Sequence, residues 1–238
     1  MKKILITNDD GIDSPGIARL AEAANDFGEV WVVAPMHQRS AASHCITLRE
    51  PIDVYPHDFP VKGVKAFACS GMPADCVRVG GLSVLPSKPD VVLSGINDGY
   101  NMATDLQYSA TVGAAFEAAF QGWLAIALSE KYGGPREVTD AYLKEVLKEC
   151  LDMKTAYDQV INVNFPGCSL ADFRGIKRDC RTSSSSIYID NYKVIEELEG
   201  GGKRYMVEGV HNEECEDGTD FKALMENYIS IGIINNIG

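Results

Sequence analysis

The sequence is poor in basic side chains: 22 lysine and arginine residues stand against 34 aspartate and glutamate residues, which gives a net charge of -12. A nucleic-acid polymer is bound largely through its phosphates and requires a basic surface, so we expect no such partner. A small phosphorylated substrate is still compatible with this charge, because a bound cation can reverse the local field.

The seven cysteines are scattered along the chain, are odd in number and include no C-x-x-C pair. This pattern indicates neither a disulfide framework nor a zinc site. No apolar run approaches the length of a membrane span, so we expect no membrane association. The apolar residues 4–6 after Lys2 and Lys3 resemble the start of a signal peptide, but Asp9 and Asp10 interrupt the run too early. We therefore expect a soluble, cytoplasmic protein.

The chain does contain a regular alternation of strand-like apolar runs and helical patterns. Residues 4–6 and 30–34 predict buried strands, and a helical pattern that begins at Pro15 lies between them. Together they predict a right-handed βαβ unit. Further strands are predicted at 64–69, 89–94, 123–129 and 160–165, and helices at 73–82, 109–121 and 137–152. The alternation predicts an α/β fold with a doubly wound, Rossmann-like and mostly parallel sheet.

The character of the sequence changes from about residue 183. Serine and glycine runs bracket a hairpin-like region, and residues 228–234 predict a closing strand. We therefore divide the chain into a core of residues 1–182 and a C-terminal hairpin or arm of residues 183–238, which is not expected to fold independently.

Two adjacent carboxylates, Asp9 and Asp10, end the first predicted strand, and Gly11 allows the chain to turn there. Ligand sites in doubly wound sheets lie beyond the carboxyl ends of the strands. Adjacent carboxylates repel one another unless a cation lies between them or one is protonated, and hard divalent ions such as Mg2+ or Mn2+ prefer oxygen ligands. The alternative is that both aspartates are turn and N-cap residues.

Three polar loops, at 8–14, 35–45 and 95–105, follow three separate predicted strands and should meet at one edge of the sheet. They bring together the oxygen-bearing side chains of Asp9, Asp10, Ser40 and Asn97. Two carboxylates, a hydroxyl and an amide carbonyl are a suitable ligand set for one hard divalent ion that also keeps bound waters.

Side chains suited to phosphate surround this predicted centre. Ser109 and Thr111 begin a predicted helix, where free backbone N–H groups and the helix dipole favour an anion. Arg39, Ser43 and Asn101 could supply further donors. Ordinary roles compete in each case: an N-cap for Ser109, a turn residue for Asn101 and a surface charge for Arg39.

A metal with open water positions beside an anion site suits the hydrolysis of a phosphate ester by a metal-activated water. Either Asp9 or Asp10 could hold the metal and also accept the proton of that water, and the sequence does not separate these roles. A loop histidine, His37, is a further candidate acid or base, although such a residue is more often simply solvated.

The same motifs resemble the survival protein E (SurE) family of metal-dependent 5′-nucleotidases. The resemblance covers essentially the whole chain, and its main motifs are TNDDG at 7–11, SGINDGYN at 94–101, SATVGAA at 109–115 and NVNFP at 162–166. It implies that Asp9, Asp10, Ser40 and Asn97 hold the metal. It also implies that Asn101, Ser109 and Thr111 lie near the substrate phosphate.

The resemblance further implies hydrolysis of nucleoside 5′-monophosphates, with 3′-monophosphates and polyphosphate as further substrates in some members. It implies a homodimer or homotetramer in which C-terminal segments are exchanged. The chain departs from the family pattern at Ala41, Met72 and Ala110, where glycine, threonine and glycine are usual. None of these departures removes an implied metal ligand, so they bear on specificity rather than on activity.

A receiver-like signalling module is the main alternative, because it also pairs two aspartates after its first strand to bind Mg2+. It requires a phospho-acceptor aspartate at the end of its third strand, and the nearest candidate, Asp53, lies between Pro51 and Pro56. Lys131 could supply the lysine that such a module needs after its fifth strand. A D-x-D phosphatase and a dinucleotide-binding protein are disfavoured, because neither D-x-D nor G-x-G-x-x-G follows Thr7.

Overall fold

A nine-stranded sheet forms the centre of the fold in the computed structural model, which describes residues 1–212 and 214–237. The elements, in chain order, are β1 (Lys2–Thr7), α1 (Pro15–Ala24), β2 (Gly28–Pro35), β3 (Val54–His57), β4 (Lys65–Cys69), α2 (Pro73–Val79), β5 (Val91–Asp98), α3 (Ala110–Phe120), β6 (Leu124–Glu130), α4 (Glu137–Cys150), β7 (Gln159–Phe165), β8 (Ile176–Lys177), β9 (Tyr188–Ile189), β10 (Tyr192–Glu197), β11 (Lys203–Val207), β12 (Val210–His211), α5 (Asp220–Met225) and β13 (Ile229–Asn235).

The strands of the main sheet are ordered β3-β4-β2-β1-β5-β6-β7-β13-β8. The six neighbouring strands from β4 to β7 are parallel, whereas β3 and β13 run antiparallel to β4 and β7. From β1 the chain first builds outward through β2, and it then returns to β5 on the other side of β1. The predicted doubly wound, mostly parallel α/β sheet is confirmed, and the switch point between β1 and β5 is where such sheets bind ligands.

Alternating side chains of the central strands build a hydrophobic core on each face of the sheet. Ile4 and Ile6 of β1 lie in one core, with α1 and α4, whereas Leu5 lies in the other, with α2 and α3. Successive residues of a strand point to opposite faces, so both faces of β1 must be apolar. This requirement is the reason that a buried parallel strand is a continuous apolar run.

Two elements differ from their predicted bounds by more than two residues at one end. The helix predicted to continue to Leu82 ends at Val79 and passes into a short π-helical turn, Gly80–Val84. The Trp123 ring packs where a Cβ on Gly81 would lie, so a glycine is required there and weakens the helix. Strand β5 continues past residue 94 to Asp98, because Asn97 and Asp98 pair with the end of β6 after a register shift.

The C-terminal region contains both projecting and packed parts. Strands β9 to β12 form two small two-stranded sheets, one from β10 and β11 and the other from β9 and β12. Helix α5 and strand β13 return to the core, and the closing strand predicted at 228–234 is confirmed as β13. The division at residue 183, and the exchange of the arm between subunits, stay predictions. The proposed arm includes Glu213 and Gly238, which lie outside the described residues.

Within the described part of the chain, no helix is both long and apolar enough to cross a membrane. The cytoplasmic location stays a prediction.

Candidate metal and phosphate site

Three loops meet at the carboxyl edge of the neighbouring strands β2, β1 and β5, as the sequence predicts. The backbone N–H of Arg39 donates to the carbonyl oxygen of Asp9 at 2.7 Å, which joins the loop after β2 to the loop after β1. The backbone N–H of Asp98 donates to Oδ2 of Asp10 at 3.1 Å, which joins β5 to the same loop. The polar side chains that follow these strands are therefore held close together.

Glycines allow the elements below this edge to approach one another closely. A Cβ on Gly16, in the first turn of α1, would collide with the carbonyl oxygen of Ile96. Gly95 has a φ of +141°, and a Cβ there would collide with the carbonyl oxygen of Leu128 in β6. Both positions place the end of β5, and with it Asn97, close against its neighbours.

The Asp9 carboxyl is almost fully buried, with 3% of the residue exposed. Burial raises the pKa of Asp9 to about 6, the Asp10 charge adds to this effect, and a hydrogen bond from Thr111 opposes it. In that bond the Thr111 hydroxyl donates to Oδ1 of Asp9 at 2.5 Å. A buried carboxyl with a raised pKa is stabilised as the anion when a cation lies beside it.

The Asp10 carboxyl is half-buried and lies between two further polar groups. Burial is the main cause that raises its pKa, and the Asp98 carboxylate adds to the shift, while the Asp98 N–H opposes it. The Gln38 amide donates to Oγ of Ser40 at 3.0 Å and approaches Oδ1 of Asp10 at 3.5 Å. Among the described residues, the partners of the Asp9 and Asp10 carboxylates are Thr111, Gln38 and the Asp98 N–H, and none of these groups is basic.

The fourth predicted ligand, Asn97, lies at the end of β5 after the register shift. Its side-chain N–H donates to the carbonyl oxygen of Gly99 at 2.8 Å, which orients the amide and leaves the side-chain oxygen for a ligand. A cavity of about 230 Å³ lies in front of these groups, and its lining consists of Asp9, Ser40, Ala41, Asn97, Asp98, Tyr100, Asn101, Asp105, Tyr108 and Ser109.

The donor set fits a hard divalent cation. The described residues contain no group of three or more histidine, cysteine, aspartate or glutamate side chains that could hold a metal. A metal here would therefore depend on Asp9, Asp10, the Ser40 hydroxyl, the Asn97 amide oxygen and water. Such all-oxygen, partly hydrated sites are typical of Mg2+, whereas zinc prefers histidine and cysteine.

The predicted phosphate residues have different surroundings. Ser109 lines the cavity and is the N-cap of α3, where its Oγ accepts from the N–H of Val112 at 3.1 Å. The Thr111 hydroxyl is fully buried and directed to Asp9, so its observed contact is to a candidate metal ligand.

Asn101 also lines the cavity, and a polar network holds it. Its side-chain N–H donates to Ser129 Oγ at 2.8 Å, its backbone N–H donates to Asn164 Oδ1, and its carbonyl oxygen accepts from Asn162 and Asn164. The NVNFP motif at 162–166 therefore supports the loop after β5.

Arg39 and Ser43 do not line the cavity. The Arg39 guanidinium donates to the carbonyl oxygen of Ser70 at 3.4 Å, and the Ser43 hydroxyl donates to the carbonyl oxygen of Gln107 at 2.9 Å. A Cβ on Gly113 of α3 would collide with the Ser43 carbonyl oxygen, so this loop packs tightly on the helix. In this structure both side chains hold the loop that carries Ser40, and their role in phosphate binding stays a prediction.

Sequence reasoning missed Gln38, Asp98, Asp105 and Tyr108. Asp98 could have been found, because it follows Asn97 at the same strand end. Gln38, however, reaches Asp10 across two loops, and its direction depends on the packed structure.

Residues 4–188 match the family model described as Survival protein SurE. The protein named 5'-nucleotidase SurE from Clostridium botulinum strain 657 is 38% identical over 233 residues, which cover 96% of this chain and 90% of that protein. The protein of the same name from Thermoanaerobacter sp. strain X514 is 39% identical over 236 residues, with the same coverage.

The crystal structure of the SurE protein from Aquifex aeolicus superimposes on this chain with a TM-score of 0.84 at 31% identity. The superposition covers 99% of this chain and 94% of that chain.

The receiver-like alternative is not supported. Its candidate phospho-acceptor, Asp53, precedes the edge strand β3 instead of ending a central strand. The family model, by contrast, spans most of the chain, and the matched relatives align over nearly its whole length. On these grounds the chain belongs to the SurE family.

Proposed function

We propose that the chain is a metal-dependent phosphomonoesterase that hydrolyses nucleoside 5′-monophosphates to a nucleoside and phosphate. One observation carries the proposal: Asp9, Ser40, Asn97 and Ser109 line one cavity at the switch point of the sheet, and Asp10 follows Asp9 there. The names of the curated relatives support the same activity. We further propose one divalent ion per subunit, either Mg2+ or Mn2+, with 3′-monophosphates and polyphosphate as further substrates.

The residues divide the work of such a reaction. When bound, a divalent ion would lower the pKa of a coordinated water and offset charge on the phosphoryl group. Asp9, Asp10, Ser40 and Asn97 would hold the ion, with Thr111 fixing the Asp9 carboxyl and the Asp98 N–H fixing that of Asp10. Asp9 or Asp10 would also accept the proton of the attacking water.

The phosphate would lie at the N-terminus of α3. Ser109 begins this 11-residue helix and lines the cavity, and the first N–H groups of a helix favour an anion. Asn101 lies beside it on a loop that Asn162 and Asn164 hold rigidly. The anion site and the metal ligands would thus share one cavity, which suits a substrate whose phosphate binds the ion directly.

The test is phosphate release from a panel of nucleoside 5′- and 3′-monophosphates with Mg2+, with Mn2+ and with EDTA. We expect metal-dependent release that EDTA abolishes and that Asp10→Asn lowers by at least about a hundredfold. Asp13→Asn is the matched control, because Asp13 belongs to the same loop but its side chain is 79% exposed. No release under any condition by folded, metal-bound protein would overturn the proposal.

A further inference from the structure

A second and larger cavity, of about 830 Å³, adjoins the candidate metal site. The walls of the two cavities share Asp98, Tyr100 and Asp105. Pockets for small organic ligands usually measure about 300–1,000 Å³, so the larger cavity has the size of such a pocket and the 230 Å³ cavity does not. A nucleotide whose phosphate lies in the smaller cavity needs a second space for its nucleoside, and the larger one opens beside it.

The far wall of the larger cavity is apolar and aromatic. Met102, Ile187 and Leu224 are buried there, beside the rings of Tyr188 and His211. These two rings meet edge to face, with centroids 5.6 Å apart and planes at 86°. Purine and pyrimidine bases stack on such rings, and the strength of stacking depends little on which base is bound.

The two aromatic rings of the wall come from the base of the C-terminal arm. Tyr188 lies on β9 and His211 on β12, and the two residues are paired directly across these short strands. The His211 ring also packs against Phe221 of α5, with centroids 6.2 Å apart. This part of the arm therefore faces the cavity, whereas the β10–β11 hairpin contributes no residue to its lining.

The wall is tied to the loop that carries the candidate phosphate residues. The buried Asp220 carboxylate accepts from the N–H of Ala103, in that loop, at 3.1 Å. It also accepts from the N–H of Ser183, at the start of the arm, at 2.9 Å. The distance from the phosphate region to the aromatic wall is thus set by packed, hydrogen-bonded structure.

We propose that the larger cavity is the nucleoside subsite, in which a purine or pyrimidine base stacks on the ring of Tyr188 or His211 and meets the other ring edge to face. The pentose lies at the junction of the two cavities, near Asp105 and Tyr100. The assignment rests on the proposed function, because it takes the smaller cavity as the phosphate site. Exchange of the arm between two copies would supply the same residues from the second copy and would leave the subsite unchanged in composition.

The first experiment compares kcat/KM for AMP with kcat/KM for ribose 5-phosphate, which has the phosphate and pentose but no base. We expect Tyr188→Ala and His211→Ala each to lower the ratio of these constants by about tenfold, which corresponds to the loss of one stacking contact. Tyr188→Phe keeps the ring and should keep the ratio. Tyr192→Ala, on the exposed hairpin outside the cavity, controls for effects transmitted through the arm or its assembly.

The second experiment measures adenosine binding to the Mg2+-loaded protein by calorimetry, since adenosine has no phosphate and its binding does not require catalysis. Adenosine binding that Tyr188→Ala weakens supports the subsite, even if the protein releases phosphate from no substrate and the proposed function fails. The protein could hydrolyse both AMP and ribose 5-phosphate while Tyr188→Ala and His211→Ala change neither the ratio of kcat/KM values nor the affinity for adenosine. That result would overturn the nucleoside subsite and leave the proposed function standing. His211→Ala provides the test by itself if Tyr188→Ala does not fold.

Discussion

The hydroxyl of Thr111, in the first turn of α3, donates a 2.5 Å hydrogen bond to Oδ1 of Asp9, at the end of β1. Both residues are buried, so the bond is largely shielded from solvent. The bond fixes the direction of one candidate ligand carboxyl from the helix that begins at the candidate phosphate site. The bond therefore links the proposed metal site to the proposed phosphate site.

Thr111→Val should weaken the binding of Mn2+ by about 10–100-fold, because partners that orient ligand side chains typically contribute this much to metal affinity. Calorimetric titration of the metal-free protein with Mn2+ would measure the change. Thr111→Ser keeps the hydroxyl and is the control. An unchanged Mn2+ affinity in the valine variant would show that the bond does not position Asp9 for a metal.

The raised pKa of Asp9 predicts a particular pH dependence of stability in metal-free protein. The folded-state pKa of Asp9 is about 6, above the ordinary value of 3.8 for an aspartate, so the folded state binds more protons than the unfolded state between these values. The contribution of Asp9 to stability is therefore lost as the pH rises from about 4 to about 6, and the charged carboxylate is unfavourable at pH 7.

Asp9→Asn should accordingly stabilise the EDTA-treated protein at pH 7 by about 1–3 kcal/mol, since it removes a buried, unpaired charge. Below pH 4 the difference between the two proteins should disappear. Urea unfolding at a series of pH values would measure it, with Asp13→Asn as an exposed control in the same loop. The raised pKa of Asp9 would be contradicted if the difference in stability between Asp9→Asn and the unmodified chain were the same at pH 7 as at pH 4.

Sequence reasoning succeeded where a single local rule was sufficient. The continuous apolar residues of β1 and β2 identify buried parallel strands, and parallel strands place the loops after them at one edge. The meeting of Asp9, Ser40 and Asn97 at one cavity follows from that topology.

The remaining features depend on contacts between distant parts of the chain. The register shift that extends β5 to Asp98 depends on its pairing with β6, and the contact between Gln38 and Asp10 depends on side-chain direction. The aromatic wall formed by Tyr188 and His211 requires β9 to pair with β12, which lies beyond the intervening hairpin. No local periodicity encodes such contacts.

Asp220 gives a prediction about the link between the C-terminal region and the site. Its carboxylate accepts from the N–H groups of Ala103, Ser183 and Phe221. Asp220→Ala would leave buried donors unpaired, so it should lower the free energy of unfolding by at least about 1–3 kcal/mol. Because the Ala103 loop also carries Asn101, we expect kcat/KM for AMP to fall as well.

Denaturant unfolding and steady-state kinetics would measure the two effects of Asp220→Ala. Asp220→Asn keeps one acceptor oxygen and should lose less on both measures. Asp217→Ala, in the exposed loop that precedes α5, is a control for the region. If Asp220→Ala lowered the free energy of unfolding but left kcat/KM for AMP unchanged, Asp220 would stabilise the C-terminal region without affecting the geometry of the site.

The β10–β11 hairpin has an exposed apolar face, which predicts how copies of the chain assemble. Tyr192 pairs with Val207 and Val194 pairs with Tyr205 across β10 and β11, so these four side chains share one face. All four are exposed in the single chain, Tyr192 by 65% and Tyr205 by 57%. An isolated two-stranded hairpin is marginally stable in water, and a contiguous exposed apolar patch usually marks an interface.

We therefore expect a homodimer or homotetramer whose contacts include this face, and light scattering at micromolar concentration would measure its mass. The double variant Tyr192→Lys and Tyr205→Lys should reduce the mass, because it places charge on the apolar face without altering the folded core. Lys193 lies on the opposite face of the hairpin, so Lys193→Ala should leave the mass of the assembly unchanged. A monodisperse monomer for the unmodified chain would refute this interface, because no second subunit would then cover the apolar face.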